Sequence, residues 1–222
     1  FMAGEAFART LSSSLNVPLY EFSHQEGHVE AVKYYSEFKN LNKLVTFHFS
    51  GGTSEALLVD IANSSFEIVG GSKDLAYGQV IDRVGVSLGL PFPAGEAMDE
   101  IALFGNYNEK KLSKIKANDC FVNLSGIETQ AQRLIGEIPA DSLVTELFER
   151  ITISILETTL QISKKYSIND FLFAGGVSSS AYLRTYLRNH LPKHIRIAFG
   201  EPRLSQDNAV GIALLGGKNI WL

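Results

Sequence analysis

Two apolar segments of this chain end in a pair of glycines, and this feature constrains the fold more than any other. Residues 170–174 lead into Gly175-Gly176 and then into a helical pattern, and residues 45–49 lead into Ser50-Gly51-Gly52-Thr53. Strands followed by glycine turns and a helix are typical of α/β folds, which bind ligands beyond the carboxyl ends of the strands. The sequence therefore predicts a mixed α/β protein with candidate binding loops at strand ends.

Hydrophobic periodicity extends this pattern along the chain. Leu143, Leu147, Ile151 and Ile155 have the spacing of a helix stripe, whereas short apolar runs between turns indicate strands. The predicted strands are 19–22, 44–49, 56–61, 66–69, 170–174 and 195–199. The predicted helices are 23–38 (with Ser23 as its cap), 76–88, 96–104, 142–165, 178–189 and 207–215.

Composition limits the class of protein. The 222 residues are 45% hydrophobic and 20% charged, with a formal net charge of −4 and one cysteine, Cys120. No apolar run approaches the ~18–20 residues of a transmembrane helix, and one cysteine cannot form an intrachain disulfide. A mildly acidic chain does not hold nucleic acid by bulk charge alone. We expect a soluble, cytoplasmic protein that spans no membrane.

The first residues have the pattern of a helix. Ala3, Phe7, Leu11 and Leu15 are four residues apart, and Pro18 disfavours helical geometry in the residue before it. A chain that begins inside an amphipathic helix looks like the remainder of a longer one. We therefore expect that further residues precede this segment in the full protein.

Two histidines four residues apart lie in the predicted helix 23–38. On one helix face His24 and His28 would be about 6 Å apart, a spacing that allows both to bind one metal ion. A surface helix that carries two histidines by chance has the same pattern. His190 and His194 also share this spacing, but a proline between them breaks the helix. Spacing alone therefore leaves both interpretations open.

The two glycine turns are candidate ligand loops. In residues 50–53 the glycines free backbone N–H groups to converge on an anion, although an ordinary hairpin turn has the same composition. Gly175-Gly176 would let a nucleotide approach the backbone at a helix start, although a tight turn with serine caps also fits. Asp207 could cap the last helix or supply a carboxylate to a site.

Seven short segments, in order along nearly the whole chain, resemble the signature of the tRNA threonylcarbamoyladenosine transferase family, formerly described as O-sialoglycoprotein endopeptidases. The segments are His24-Gln25-Glu26-Gly27-His28, Ser50-Gly51-Gly52-Thr53, residues 74–83, residues 89–95, residues 125–129, residues 174–177 and Asp207-Asn208-Ala209. The resemblance implies an α/β fold of the actin-like ATPase type, with two ribonuclease-H-like lobes around a nucleotide and metal cleft. It also implies that the first lobe is incomplete in this chain.

The same resemblance predicts the domain organisation. Residues 1–43 would be a remnant of the first lobe that carries the His-x-Glu-Gly-His helix, and residues 44–204 the second ribonuclease-H-like lobe. Residues 205–222 would form a C-terminal helix that returns toward the first lobe. An apolar face left by the incomplete lobe makes a homodimer a further expectation.

The resemblance also implies roles for individual residues. His24, His28 and Asp207 would hold one divalent metal ion, zinc or iron, and leave coordination positions open for Lewis-acid chemistry. The nucleotide, ATP or threonylcarbamoyl-adenylate, would contact three groups of residues. These are Ser50, Gly51, Gly52 and Thr53 at the phosphates, Asp74, Gly78, Gly95 and Asp99 around the ribose and adenylate, and Gly175, Gly176 and Ser180 near the base.

Members of this family transfer a threonylcarbamoyl group from its adenylate to N6 of adenosine 37 in tRNA. The expected partners are therefore tRNA and the companion proteins of the threonylcarbamoylation complex. Three departures from the signature are Thr53 for a His or Asn, Glu128 for a Lys and Ser180 for an Asn. We interpret the chain as a divergent paralogue. The alternative is a catalytically degenerate paralogue that binds metal or nucleotide and acts as a partner or scaffold.

A peptidase is the third interpretation. In a zinc protease the general-base Glu directly follows the first metal-binding His, whereas Glu26 is two residues after His24 and points to another side of the helix. The sequence does not support this reading.

His48 suggests a fourth metal ligand. Archaeal and eukaryotic members of the family have a Tyr two residues before the Ser-Gly-Gly segment, and here that residue is His48. We hypothesise that His48 joins His24, His28 and Asp207 around the ion. A closed tetrahedral set of protein ligands would favour a structural role of the metal.

Overall fold

A six-stranded mixed sheet forms the centre of the computed structural model, which describes residues 2–61, 63, 65–201 and 209–220. Its strands are β1 (Lys43–Phe49), β2 (Ser54–Asp60), β3 (Ser65–Ser72), β4 (Phe121–Val122), β5 (Asp170–Ala174) and β6 (Arg196–Phe199). Their order in the sheet is β4-β3-β2-β1-β5-β6. The first three strands form an antiparallel meander, while β1, β5 and β6 run parallel. The carboxyl ends of these three parallel strands therefore lie at one edge.

Helices cover the sheet and connect its strands. In chain order they are α1 (Met2–Leu15), α2 (His24–Tyr34), α3 (Tyr77–Ser87), α4 (Gly95–Phe104), α5 (Ser125–Leu134), α6 (Ala140–Tyr166), α7 (Ala181–His190) and α8 (Val210–Ile220). A short 3-10 helix, Gly176–Ser179, precedes α7. In the described part of the chain, no helix combines the length and the apolar character that a membrane span requires.

Alternation along the strands gives the sheet an apolar core on each face. Phe47, Phe49 and Phe173 pack toward α3–α7 in the larger core. Leu44 and Leu172 belong to a smaller core on the other face, against α2. His48 alternates with Phe47 and Phe49, so it lies on the α2 face, as its position between two buried phenylalanines predicts.

The start of α2 is defined by a capping box. Ser23 Oγ accepts a hydrogen bond from the backbone amide of Glu26 at 3.2 Å, and the Glu26 carboxylate accepts one from the amide of Ser23 at 2.5 Å. This reciprocal pair satisfies two amides that have no partner within the helix. The predicted cap is confirmed, and the carboxylate of Glu26 has a structural partner.

The mixed α/β class is confirmed, although several elements differ from the prediction. The strand predicted at 19–22 is wrong: residues 17–23 have no regular structure, and no described strand lies beside them to pair with. Leu19 and Tyr20 are 37% and 41% exposed, so their apolar character does not reflect a buried strand. Helix α5 was not predicted, although Ile127, Ala131 and Leu134 have helical spacing. The expected boundaries of 1–43, 44–204 and 205–222 stay predictions.

Candidate functional site

The loop of residues 50–53 connects β1 to β2 at the edge where the parallel strands end. The Ser50 amide donates to the carbonyl of Thr53 at 2.9 Å, and Ser50 Oγ accepts hydrogen bonds from the amides of Gly52 and Thr53. Gly51 and Gly52 are exposed, and no heavy atom lies within 4 Å of where their Cβ atoms would be. The loop therefore presents open backbone to the solvent, as an anion site requires.

Gly78 and Gly175 enclose this loop from two sides. A Cβ built on Gly78, in the first turn of α3, would lie 2.6 Å from the carbonyl oxygen of Ser50. Gly175 follows β5 with φ of 93°, and a Cβ there would lie 2.1 Å from the carbonyl oxygen of Phe49. Only glycine permits both close approaches. The structure thus brings Gly78 against the 50–53 loop and Gly175 against Phe49, the residue directly before it.

Asp99 and Ser180 form the next part of the site. Ser180 is the N-cap of α7: its Oγ accepts a hydrogen bond from the amide of Leu183 at 3.0 Å and donates one to the Asp99 carboxylate. The same carboxylate accepts hydrogen bonds from the amides of Ala181 at 2.7 Å and Tyr182 at 3.2 Å. A negative charge at this amino terminus is favourable for the helix dipole. The contacts fix α7 relative to α4.

Asp74 has a comparable role at the amino terminus of α5. Its Oδ1 accepts hydrogen bonds from the amides of Leu75 and Leu124, both at 2.7 Å. Its Oδ2 accepts one from the amide of Ser125 at 3.0 Å. Although burial tends to raise the pKa of Asp74, these hydrogen bonds lower it well below its ordinary value. The carboxylate is therefore ionised, and it anchors α5 beside the turn that leads to Gly78.

The expected nucleotide residues form one continuous arc. Gly95 begins α4, one turn before Asp99, and Gly176 begins the 3-10 helix that leads to Ser180. Space is open around both glycines, because no heavy atom lies within 4 Å of a Cβ on either. Each member of the arc contacts the next one or lies a few residues from it in the chain. The order is Gly95, Asp99, Ser180, Gly176, Gly175, the 50–53 loop, Gly78 and Asp74.

Two histidines meet on the face of the sheet that packs against α2. The ring centroids of His28 and His48 are 5.4 Å apart, with 27° between the ring planes. Beside them, Thr46 Oγ1 is buried and has no hydrogen-bond partner in the described part of the protein. These residues line a cavity of about 10 Å³, roughly the space of one water molecule. Its lining consists of His28, Val29, Thr46, His48, Leu57 and Ala174.

The other two expected metal ligands, His24 and Asp207, have side chains outside the described part of the structure. The backbone of His24 begins α2, one turn before His28, but its side chain lies outside the description, and so does the whole of Asp207. Among the side chains that are described, no three His, Cys, Asp or Glu residues come together as a metal site.

Sequence reasoning missed the structural contacts of Ser54 and Arg184. Buried Ser54 Oγ accepts a hydrogen bond from the amide of Tyr77 at 2.9 Å and so fixes the start of α3. Arg184 Nε donates to the carbonyl of Ser178 at 2.7 Å, and its Nη2 donates to that of Gly200 at 3.1 Å. Arg184 thereby links the 3-10 helix to the end of β6. Neither contact follows from a motif in the sequence, so only the fold reveals them.

Comparison with known proteins places these features in a family. The sequence model of the TsaD family, described as tRNA N6-adenosine threonylcarbamoyltransferase, matches residues 2–214. The protein of that name from Thermosipho melanesiensis is 32% identical over 224 residues, covering 98% of this chain and 68% of that protein. The one from Dictyoglomus turgidum is 31% identical over 94% of this chain and 64% of that protein. The chain thus spans about two thirds of the length of these curated relatives.

Solved structures show the same fold at low sequence identity. HypF from T. kodakarensis superposes with a TM-score of 0.71 and 11% identity, over 97% of this chain and 39% of that one. A full-length HypF in its phosphate- and nucleotide-bound form gives a TM-score of 0.70 and 15% identity, over 96% and 45% of the chains. This likeness confirms the expected ribonuclease-H-like fold of the actin-like ATPase type. Because the family match extends over residues 2–214, the chain belongs to the TsaD family, as its seven ordered segments indicate.

Proposed function

We propose that this chain takes part in the transfer of a threonylcarbamoyl group from threonylcarbamoyl-adenylate to N6 of adenosine 37 in tRNA. The proposal is carried by one observation: in a chain of the TsaD family, the expected nucleotide residues line one arc at the carboxyl ends of β1 and β5. The relatives named above are described as tRNA N6-adenosine threonylcarbamoyltransferases.

The phosphate end of the adenylate would lie against the 50–53 loop. The exposed backbone at Gly51 and Gly52 can approach an anion closely, because neither residue carries a side chain in the way. Ser50 Oγ, which accepts hydrogen bonds from the amides of Gly52 and Thr53, keeps the loop in this shape. An incoming phosphate oxygen would replace Ser50 Oγ as the acceptor of these amides, because hydrogen bonds to a charged acceptor are about twice as strong as neutral ones.

The adenosine would lie across the open backbone at Gly95 and Gly176. The hydrogen bonds between Asp99 and the start of α7 hold α4 and α7 at a fixed separation on either side of this space. We propose that Asp74 Oδ2, which accepts the Ser125 amide at 3.0 Å, also accepts a donor of the ligand, such as a ribose hydroxyl.

For the metal ion, zinc or iron, we propose His24, His28, His48 and Asp207 as ligands. Two imidazoles on one tetrahedral zinc, with Zn–N near 2.0–2.1 Å, have ring centroids about 5 Å apart, and His28 and His48 are separated by 5.4 Å. The donor types and the small cavity between them therefore fit such an ion. With four protein ligands, such an ion would have a structural role, because no coordination position stays open for a substrate.

The partners belong to the same proposal. We propose that the chain acts on tRNA, together with companion proteins of threonylcarbamoylation, in the cytoplasm. The chain spans about two thirds of the relatives' length.

A transfer assay tests the proposed reaction. The chain and the companion proteins are supplied with synthetic threonylcarbamoyl-adenylate and unmodified tRNA, and the nucleosides are analysed by mass spectrometry. We expect threonylcarbamoylated adenosine from this tRNA and none from a matched tRNA with guanosine at position 37. If the proteins bind the adenylate but leave adenosine 37 unmodified, the transferase proposal is wrong and the scaffold interpretation replaces it.

Metal analysis tests the ligand set separately. We expect His48→Ala to weaken zinc binding at least tenfold, because loss of one imidazole removes a direct ligand. His190→Ala is the matched control, since His190 is exposed at the end of α7 and lies far from α2 in the sequence. Unchanged zinc affinity and coordination in His48→Ala would show that His48 is not a ligand.

A further inference from the structure

A segment without helix or strand, residues 105–117, lies between α4 and β4 and is held along α6 by two buried charges. The Glu146 carboxylate accepts hydrogen bonds from the amides of Lys111 at 2.8 Å and Leu112 at 3.1 Å. Arg150 Nε donates to the carbonyl of Leu112 at 3.1 Å. Glu146 and Arg150 are almost completely buried, so these contacts fix the backbone of the segment firmly. We call residues 105–117 the strap.

The strap has an apolar inner side and a basic outer side. Leu112 and Ile115 are buried in the larger core. The lysines between and beside them are exposed, and they are Lys110, Lys111, Lys114 and Lys116. Within the described part of the chain, Lys111 pairs with Glu109 at 2.6 Å and the other three lysines form no ion pair. The strap thus concentrates positive charge on a chain whose formal net charge is −4.

An exposed aromatic ring lies directly before the strap. Phe104 is the last residue of α4 and is 89% exposed. An apolar ring in water is unfavourable, so a surface that keeps one is a candidate for contact with a ligand. Proteins that bind single-stranded nucleic acid combine basic residues along the backbone with aromatic rings on which bases stack. Phe104 and the strap lysines form this combination.

Two helices that start at the expected nucleotide site lead to the strap. Helix α4 begins at Gly95 and ends at Phe104, so its length is about 15 Å at 1.5 Å per residue. Helix α5 begins beside Asp74, and its Gln130 Oε1 accepts a hydrogen bond from the amide of Ser113 at 2.9 Å. The strap therefore lies about one short helix away from the nucleotide arc.

We propose that the strap and Phe104 bind the anticodon arm of tRNA, with the lysines at its phosphates and the Phe104 ring against an unpaired base. This inference rests on the proposed function, because adenosine 37 belongs to the loop of that arm and would meet the adenylate at the arc. Lysine contacts to phosphates fix the position of an RNA without reading its sequence. The acidic chain thereby holds RNA through a local charge and not through its bulk charge.

Binding of unmodified tRNA to the whole chain, measured by fluorescence anisotropy at several salt concentrations, tests the role of the lysines. We expect the double substitution Lys114→Gln and Lys116→Gln to weaken binding about tenfold. It should also reduce the slope of log affinity against log salt by about 1.5, since each phosphate contact contributes about 0.7–0.9. The matched control is Lys43→Gln with Lys193→Gln, which changes the net charge equally at two exposed lysines outside the strap. This control should keep the affinity and the slope of the wild type.

Substitution of Phe104 tests the stacking contact separately. Phe104→Ala should weaken tRNA binding about fivefold to a hundredfold and leave the salt slope unchanged, whereas Phe104→Tyr should retain the affinity. The exposed ring can be removed without loss of core packing. An isolated anticodon stem–loop should compete with the tRNA for the wild-type chain, and a hairpin of the acceptor arm should not.

The possible failures have different meanings. If the wild-type chain does not bind tRNA, or if the strap and control variants lose affinity equally, the proposed role of the strap is wrong. Strap variants that bind tRNA as the wild type does also overturn it, and leave the lysines to an acidic protein partner or to solvent. The transfer assay decides the proposed function independently. A tRNA that binds through the strap but stays unmodified at adenosine 37 contradicts the transferase and leaves the strap in place.

Discussion

Replacement of Gly175 by alanine is expected to destabilise the protein at the junction between the sheet and the candidate nucleotide site. Gly175 has φ of 93° and ψ of 165°, a region that residues other than glycine occupy at a cost of about 1–3 kcal/mol. The new methyl group would also lie 2.1 Å from the carbonyl oxygen and 2.5 Å from the carbonyl carbon of Phe49.

The second effect adds to the first because Phe49 cannot retreat freely. Its side chain is 1% exposed and packs on Phe47, Phe173 and Tyr77 in the larger core. Forcing extra atoms into such a core costs about 1–3 kcal/mol. Together the two effects predict that Gly175→Ala lowers the free energy of unfolding by about 2–6 kcal/mol.

Urea unfolding followed by far-ultraviolet circular dichroism measures this change. Gly176→Ala is the matched control: it is the next residue in the same turn, and no heavy atom lies within 4 Å of its Cβ position. We expect this control to change the free energy of unfolding by less than about 0.5 kcal/mol. If the two variants are equally stable, the close contact between Gly175 and Phe49 does not exist as described.

Three further substitutions test the contacts around the site and its supporting helices. Glu146→Ala should lower the free energy of unfolding by about 3–5 kcal/mol, since it leaves buried Arg150 without its 2.7 Å partner. Replacement of both Glu146 and Arg150 by methionine should lower it less, and urea unfolding compares the two variants. Because the folded-state pKa of Asp74 is lowered, its contribution to stability is present above about pH 4 and is lost as the pH falls through that pKa. Asp74→Asn should therefore flatten the acid limb of the stability curve, and an unchanged limb would contradict this. Ser180→Ala should cost about 0.5–2 kcal/mol by removing the cap of α7, whereas Ser180→Thr should recover most of it in thermal unfolding.

Much of the local structure was predictable because it depends on residues close together in the chain. The strand at 170–174 agrees with β5, and Ser23 caps α2 through a residue only three positions away. The long stripe at 142–165 agrees with α6 to within two residues at its first end and one at the other. The prediction of a strand at 19–22 failed because a strand requires a neighbouring strand to pair with, and an apolar pattern does not supply one.

The candidate site was predictable as a set of residues, but not as a set of contacts. The glycine turns and the seven ordered segments identify which residues belong to the site. They do not show that the carboxylates of Asp74 and Asp99 are engaged by amides at the starts of α5 and α7, about 50 and 80 residues further along the chain. Such partners are brought together by the tertiary fold and not by the local sequence.

The sequence by itself determined the α/β class, the family signature and the residue types available for a nucleotide and a metal ion. These follow from composition, from the periodicity of apolar residues and from the order of the motifs along the chain. Only the tertiary structure decided which of them are neighbours. Parallel pairing of β1 with β5 brings Gly175 against Phe49, and packing of α2 on the sheet brings His28 beside His48. The crossing of α8 over α2 leaves no room for a side chain at Gly211, whose Cβ would lie 1.7 Å from the carbonyl oxygen of Gly27. The physical reason is that these contacts join residues from about 20 to more than 180 positions apart, and folding alone brings such distant residues together.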